Sequence, residues 1–263
     1  MCNLIEWYVF TLVIILACCV LIFGMTSSKA VREVGFAEGI DDADVADAFG
    51  RLQELPQFKM IRNKIVEHVT KPSIGEPVAE GMSLLDLGCG TGHLLRAFYD
   101  EGVSGKMPRL RLYGIDIGAE SIRFCKENLA AAGITDVNLR EGDGADMPYS
   151  DESLNIVVTS LSLHHWTEPL RVLNEIYRVL TPDGLLVLFD MRRDCRRIWH
   201  WFLRFATRVI VPKPLRRVRE PLGSLLAAYT MDELKELMAR SNWNSKEQNL
   251  EGFLFAQVLE ARK

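Results

Sequence analysis

The chain has no lysine or arginine before Lys29, no C-x-x-C pair among its six cysteines, and no internal repeat or low-complexity tract. Each absence narrows the reading. Without a basic n-region, and with Glu6 in its place and no A-x-A-like site following, the first residues do not read as a cleaved secretory signal. Cys2, Cys18, Cys19, Cys89, Cys125 and Cys195 lack zinc or disulfide-framework spacing and read as free thiols of a reducing compartment. An excess of basic charge is also missing. The net charge is −4, which argues against a dedicated nucleic-acid binder. No cluster of His, Cys, Asp and Glu has metal-ligand spacing, so no metal is expected.

What is present begins with an uncharged run from Trp7 to Met25. At about 1.5 Å rise per residue it is long enough to cross the hydrocarbon core of a bilayer. Lys29 and Arg32 follow it, and the positive-inside bias then places the remainder in the cytoplasm. The expectation is a single-pass anchor at 1–25, a linker and N-terminal helices at 26–80, with a linker over 26–40 and helix from Asp41 to Val69 interrupted at Pro56, and a catalytic domain at 81–263. Within that domain, segments near 83–87, 110–116, 137–141, 154–160 and 184–190 read as strands. Helices read near 92–101, 118–132 and 168–180, the last stopped by Thr181-Pro-Asp-Gly184, and a helix from Met231 is opened by Thr230 and Glu233 as a capping box. Alternation of this kind predicts an α/β fold with a parallel sheet covered on both faces.

Residues 83–92, Ser-Leu-Leu-Asp-Leu-Gly-Cys-Gly-Thr-Gly, form a strand running into a glycine turn that opens a helix. Such a turn lies at the carboxyl edge of a sheet, where α/β folds bind ligands. The dinucleotide fingerprint needs a glycine where His93 stands, so a nicotinamide dehydrogenase is disfavoured. The run Asp86 to Gly92 resembles the first motif of the class I S-adenosylmethionine (SAM)-dependent methyltransferases. Further along, Leu112-Tyr-Gly-Ile-Asp116, the stretch from Arg140 through Pro148, Leu161-Ser-Leu-His-His-Trp166 and Glu175 through Gly184 resemble the later motifs in order. The similarity is closest to the small-molecule branch that includes ubiquinone and menaquinone biosynthesis.

That resemblance implies a Rossmann-like seven-stranded sheet, two terminal strands near 246–250 and 253–260 completing it, and SAM as cofactor. It also implies roles. Asp86, Gly88, Cys89 and Gly90 would face the methionyl part, with Asp86 near the amine. Asp116 and Ile117 would meet the ribose, and Asp143, Gly144 and Ala145 the adenine. Ser160 and Leu161 would border the cofactor from the fourth strand. His164 or His165, at the same edge, could take a proton from the acceptor, and Asp190, ending the fifth strand, is a further candidate. The function expected is methyl transfer to an apolar small molecule at the membrane; a SAM-binding regulator or scaffold without turnover is the alternative.

Residues 192–219 stand apart, with ten Arg or Lys against the single acid Asp194, interleaved with Trp199, Trp201, Phe202 and Phe205. A basic-aromatic helix of this kind suits the membrane interface. A cap over 192–229 that packs its apolar face on the core is the other reading.

Overall fold

The computed structural model describes residues 13–15, 17–18, 20–33 and 42–263. Asp42 opens helix α1 (Ala43–Gln53) by accepting from the N–H groups of Asp44 and Val45, a carboxylate cap at the positive end of the helix dipole. Pro56 at the first turn of α2 (Pro56–Thr70) cannot continue a preceding helix, so the helical stretch breaks there. The chain then alternates: β1 (Ser83–Leu87), α3 (His93–Val103), β2 (Arg111–Asp116), α4 (Ala119–Ala131), β3 (Asn138–Glu141), β4 (Leu154–Ser160), α5 (Pro169–Val179) and β5 (Leu180–Met191). A cap follows, made of α6 (Arg197–Phe205), one wide turn over Ala206–Ile210, α7 (Lys213–Arg217) and α8 (Leu222–Ala227). Helix α9 (Met231–Arg240) and strands β6 (Gln248–Phe253) and β7 (Ala256–Arg262) close the fold.

The sheet order is β3-β2-β1-β4-β5-β7-β6. Strands β1 to β5 are parallel, and β7 runs antiparallel to both of its neighbours. Strand order reverses between β1 and β4, the switch point at which open α/β sheets form a crevice. Central strands are apolar for most of their length, as burial on both faces requires: all five residues of β1 are buried. On one face Leu84, Ile156, Val158 and Phe189 pack with α2, α3 and α4. On the other, Leu85, Val157, Leu186 and Leu188 meet α5, α9 and Trp243. The Trp243 indole is fully buried, crosses Tyr177 edge-on at 5.2 Å, and donates to the carbonyl of Leu173 at 2.9 Å. The capping box of α9 forms as expected, with Thr230 and Glu233 reciprocally bonded.

Three local expectations change. Thr181-Pro-Asp-Gly184 does not separate helix from strand, because Leu180 already pairs with Leu154. The register then shifts so that Ile156 faces Leu185, with Asp183 in left-handed backbone taking up the extra length. Residues 26–33 are not a free linker. Ser27 bridges Arg196, Ser28 N–H donates to Cys195, Arg32 to Ala227 and Glu33 N–H to Leu226. Arg193 is not part of a solvated basic face either. It is buried, forks onto the Glu233 carboxylate, and donates to the carbonyls of Ala30 and Ala228. The predicted span over 7–25 lies partly outside the described residues. Among the described residues no helix is long and apolar enough to cross a membrane.

Trp243→Ala removes a fully buried ring, its edge-on partner and a satisfied hydrogen bond. A loss of about 3–5 kcal/mol is expected, read as a lowered denaturant midpoint with SAM affinity retained in the folded fraction.

Candidate active site

A cavity of about 430 Å³ opens at the carboxyl edge of the sheet, over the switch point. Its floor is the turn after β1. Gly88 has φ +76°, and a Cβ there would stand 2.3 Å from Ser162 Oγ, so only glycine lets the β1 and β4 turns approach. At Gly90, φ +49°, a Cβ would meet nothing within 4 Å: this is open space facing the cavity. The two glycines therefore do different things. One is required by the protein's own packing, and the other leaves backbone exposed for a ligand.

Asp116 ends β2 and fixes that floor. Its Oδ2 accepts from Gly90 N–H at 2.8 Å, and its Oδ1 accepts from Gly118 N–H at 2.9 Å. A carboxylate can accept up to about four donors, so holding the loop is compatible with receiving ribose hydroxyls. Asp86 lies beneath, buried at the end of β1. Burial, and then the Asp116 charge, push its carboxyl up to about 8. A hydrogen bond to Cys125, and then burial, raise the Cys89 thiol well above its ordinary range, so it acts here as a small neutral side chain.

On the far wall Asp143 accepts from Ala145 N–H at 2.9 Å, which shapes the turn after β3. Leu161, at the end of β4, has φ +57°, a strained position for a branched side chain at the cavity edge. Helix α1 roofs the cavity with Val45, Phe49 and Leu52. It is held by Arg217 on Asp42, by Val211 and Leu215 against Val45 and Ala48, and by His93 Nε2 on Glu54 Oε1 at 2.9 Å. Burial pulls the His93 imidazole below its ordinary value.

All the site residues expected from sequence, namely Asp86, Gly88, Cys89, Gly90, Asp116, Ile117, Asp143, Gly144, Ala145, Ser160, Leu161, His164 and His165, line this one cavity. Asp190 lies behind it, fully buried, bonded to His164. Sequence reasoning missed the roof of α1, the floor contact of Ser162, and the cap residues Leu215, Glu220 and Ser224 that close the other side. Nothing in the spacing of those segments marks them. The acid of Leu-Phe-Asp190, ending an otherwise apolar strand, was the one local signal that a buried polar partner was needed.

The residues suit SAM. Open space at Gly90 admits a ligand against the backbone, Asp116 offers carboxylate oxygens at the rim, and the buried Asp86 can meet a cationic amine. A family described as methyltransferase domain matches residues 79–254. The demethylmenaquinone methyltransferase of Lactobacillus johnsonii is 34% identical over 167 residues, 61% of this chain and 66% of that protein. The biotin biosynthesis bifunctional protein of Teredinibacter turnerae is 25% identical over 193 residues, 70% of this chain and 34% of that one. The chain thus spans between about a third and two thirds of the length of these relatives. Among solved structures, a SAM-dependent methyltransferase from Aquifex aeolicus superposes with TM-score 0.59 at 18% identity, over 82% of this chain and 97% of that one. The plantazolicin methyltransferase BpumL, solved with S-adenosylhomocysteine (SAH) and a monoazolic analogue, superposes with TM-score 0.64 at 14% identity, over 86% of this chain and 92% of that one.

Two outcomes are expected. Asp116→Ala removes an ionised acceptor and releases two loop N–H groups, and hydrogen bonds to charged groups are worth about 1.5–3 kcal/mol. SAM affinity should therefore fall at least about tenfold by calorimetry; an unchanged affinity would refute the assignment. The second concerns Asp86. Its folded carboxyl is raised from 3.8 to about 8, so the folded chain holds a proton that the unfolded chain gives up. Stability from this group is full below about pH 4 and is lost as pH rises through about 8. A bound cation favours the ionised form, so SAM binding at pH 7 should release more protons in the native chain than in Asp86→Asn. Calorimetry in buffers of different ionisation enthalpy reads that difference.

Proposed function

The chain belongs to the class I SAM-dependent small-molecule methyltransferases, and we propose that it methylates an apolar acceptor at a membrane surface, a quinone precursor or lipid-like molecule. The observation that carries this reading is the continuity of the cavity. The same cavity that holds the glycine loop, Asp86 and Asp116 is also lined by Leu161, Trp166, Met191 and Leu215. Bound SAM supplies a methyl group on a sulfonium, already activated for displacement. What the chain adds is position, charge complementarity and exclusion of water. Asp116 and Asp143 would orient the adenosyl group, Asp86 and the backbone at Gly88 and Gly90 the methionyl group. The roof of α1 and the cap shut the acceptor end against solvent.

The membrane part of the proposal rests on two surfaces that meet. Val13, Ile14, Ile15, Leu21, Ile22 and Phe23 are helical and exposed. Trp201, Phe202, Phe205, Val209 and Ile210 are exposed on the cap. Phe23 stacks on Trp201 with ring centroids 6.0 Å apart, and the Arg197 guanidinium lies 4.2 Å from the Phe23 ring. Arg197 N–H donates to Thr26 at 2.9 Å. Exposed aromatics fringed by arginine suit a headgroup boundary, and the cap that carries them also closes the cavity through Leu215. An acceptor drawn from lipid would have a short path. The catalytic domain is proposed to face the cytoplasm, where SAM is made.

Two tests separate the parts. A deletion strain should accumulate a metabolite lighter by one methyl group than a species present in the parent. No such pair in either the lipid or the aqueous extract would contradict the proposal. A chain beginning at Thr26, which keeps the docked 26–33 segment, should sediment with anionic vesicles and release as salt rises, each arginine near the surface contributing about 1 kcal/mol. Changing Arg196, Arg197, Arg204 and Arg208 to Gln should abolish sedimentation and leave SAM affinity within about twofold. Indifference to anionic vesicles at low salt would reduce the segment to a substrate cap.

A further inference from the structure

The cap carries ten Arg or Lys over 192–219, yet among the described residues none of them lines the cavity. Several turn elsewhere, Arg192 to Asp194, Arg193 to Glu233, Arg217 to Asp42 and Arg219 to Glu33. What the cap presents to the cavity is Leu215, Pro221, Ser224 and one ionisable side chain, Glu220. Glu220 is half-buried, and its N–H donates to the Leu215 carbonyl at 2.9 Å. Its Oε2 accepts from Ser224 Oγ at 2.6 Å. Ser224 is buried and itself lines the cavity, so this bond draws the carboxylate onto the wall instead of leaving it to swing in solvent. Oε1 lies over the first turn of α8, where a Cβ on Gly223 would stand 3.3 Å from it. A carboxylate accepts up to about four donors, so the Ser224 bond fixes its direction and leaves capacity for a ligand. The wall itself is placed by Leu225 of α8, which packs with Met191 and Leu161 at the ends of β5 and β4.

The charge around the cavity is one-sided. Its described lining holds five carboxyl side chains, Asp86, Asp116, Asp143, Glu168 and Glu220, against one Arg or Lys, Arg62. Arg62 is on α2 and donates to the carbonyl and Oε1 of Gln53. In the methyl-transfer reading the three aspartates meet the cofactor. Glu168 is 61% exposed and pairs with Arg171 at 3.3 Å. Glu220 is then the carboxylate that faces the acceptor. We propose that Glu220, aimed by Ser224, anchors a protonated amine, so that the molecule methylated is an apolar amine whose ammonium meets the cap while its body lies along Leu161, Met191 and Leu215. This rests on the methyl-transfer reading above and narrows its lipid-like acceptor. An ammonium brings three donors and a full charge, which counts for more against a half-buried carboxylate than a hydroxyl does. A carboxylate or phosphate on the acceptor would be repelled from the same wall. Glu220 sets specificity and takes no part in the transfer itself.

The test uses the full chain in detergent, loaded with SAH, and three probes that differ in one group: 2-naphthylmethylamine, 2-naphthylmethanol and 2-naphthoate. Hydrogen bonds to charged groups set the scale, so the amine should bind the native chain at least about tenfold more tightly than the alcohol, and the carboxylate should bind weakest. Glu220→Gln keeps an acceptor for Ser224 but removes the charge, and should bring the amine and the alcohol to within about twofold of each other. Equal binding of the three probes, a preference for the alcohol or the carboxylate, or an amine preference that survives Glu220→Gln would overturn the proposal. SAH affinity, measured on each sample, reports the methyltransferase reading separately. Its absence in the native chain would sink that reading. If Glu220→Gln alone lost SAH, the ranking of the three probes on the native chain would still decide the acceptor class.

Discussion

One carboxylate holds the active edge of this molecule together. Asp116 accepts from Gly90 in the turn after β1 and from Gly118 at the start of α4, so a single side chain ties two loops from neighbouring strands. Gly88 and Cys89 N–H donate to the Ile115 carbonyl and Gly92 N–H to that of Cys89, and Asp116 adds the tie at Gly90. Asp116 also keeps negative charge near Asp86, which stays protonated more readily as a result. The site thus has one carboxyl whose oxygens are engaged by loop N–H groups at the rim and, below it, one whose carboxyl is pushed up to about 8. A cationic cofactor arriving at that edge meets acceptors that are already oriented, so little reorganisation opposes binding.

The second dependence is on the cap. The segment from Cys195 through α8 packs on Met191 at the end of β5 through Cys195, Leu203 and Leu225, closes the cavity through Leu215, and turns exposed aromatics outward. Arg193 is the pin of this arrangement. Its guanidinium ties Ala30, the end of α8 and the capping box of α9 to one point. Residues 26–33 run along the same cap, and Phe23 stacks on its Trp201. The proposed membrane seating and acceptor access are therefore coupled through one small helical layer.

The parts that sequence made legible are those decided by neighbours in the chain. Asp86 to Gly92 carries its own turn, Asp42 and Thr230 their own caps, and the apolar runs of β1, β4 and β5 their own burial. Five of the seven strands follow from such signals, while the two terminal strands and the cofactor-facing residues came with the family resemblance. What escaped depends on register and packing between distant segments. His164 meets Asp190 only because β4 and β5 pair with Ser160 beside Phe189. α1 roofs the cavity because Val45 and Ala48 find Val211 and Leu215, far away in the chain. Leu180 joins a strand across a Thr-Pro-Asp-Gly sequence that locally reads as a stop, since pairing with Leu154 outweighs the turn preference. Arg193 sits in a basic run and yet is buried, because Glu233 of α9 supplies the matching charge.

The central claim is that this cavity holds SAM with its sulfur end turned toward His164. The structure of the chain with SAH bound tests it most directly. The ribose hydroxyls should lie on Asp116, the adenine beside Asp143 and Ala145, and the sulfur on the side of the cavity that His164 and Leu161 border. An adenosyl group bound elsewhere, or a sulfur directed away from His164 toward the α4 side, would contradict it.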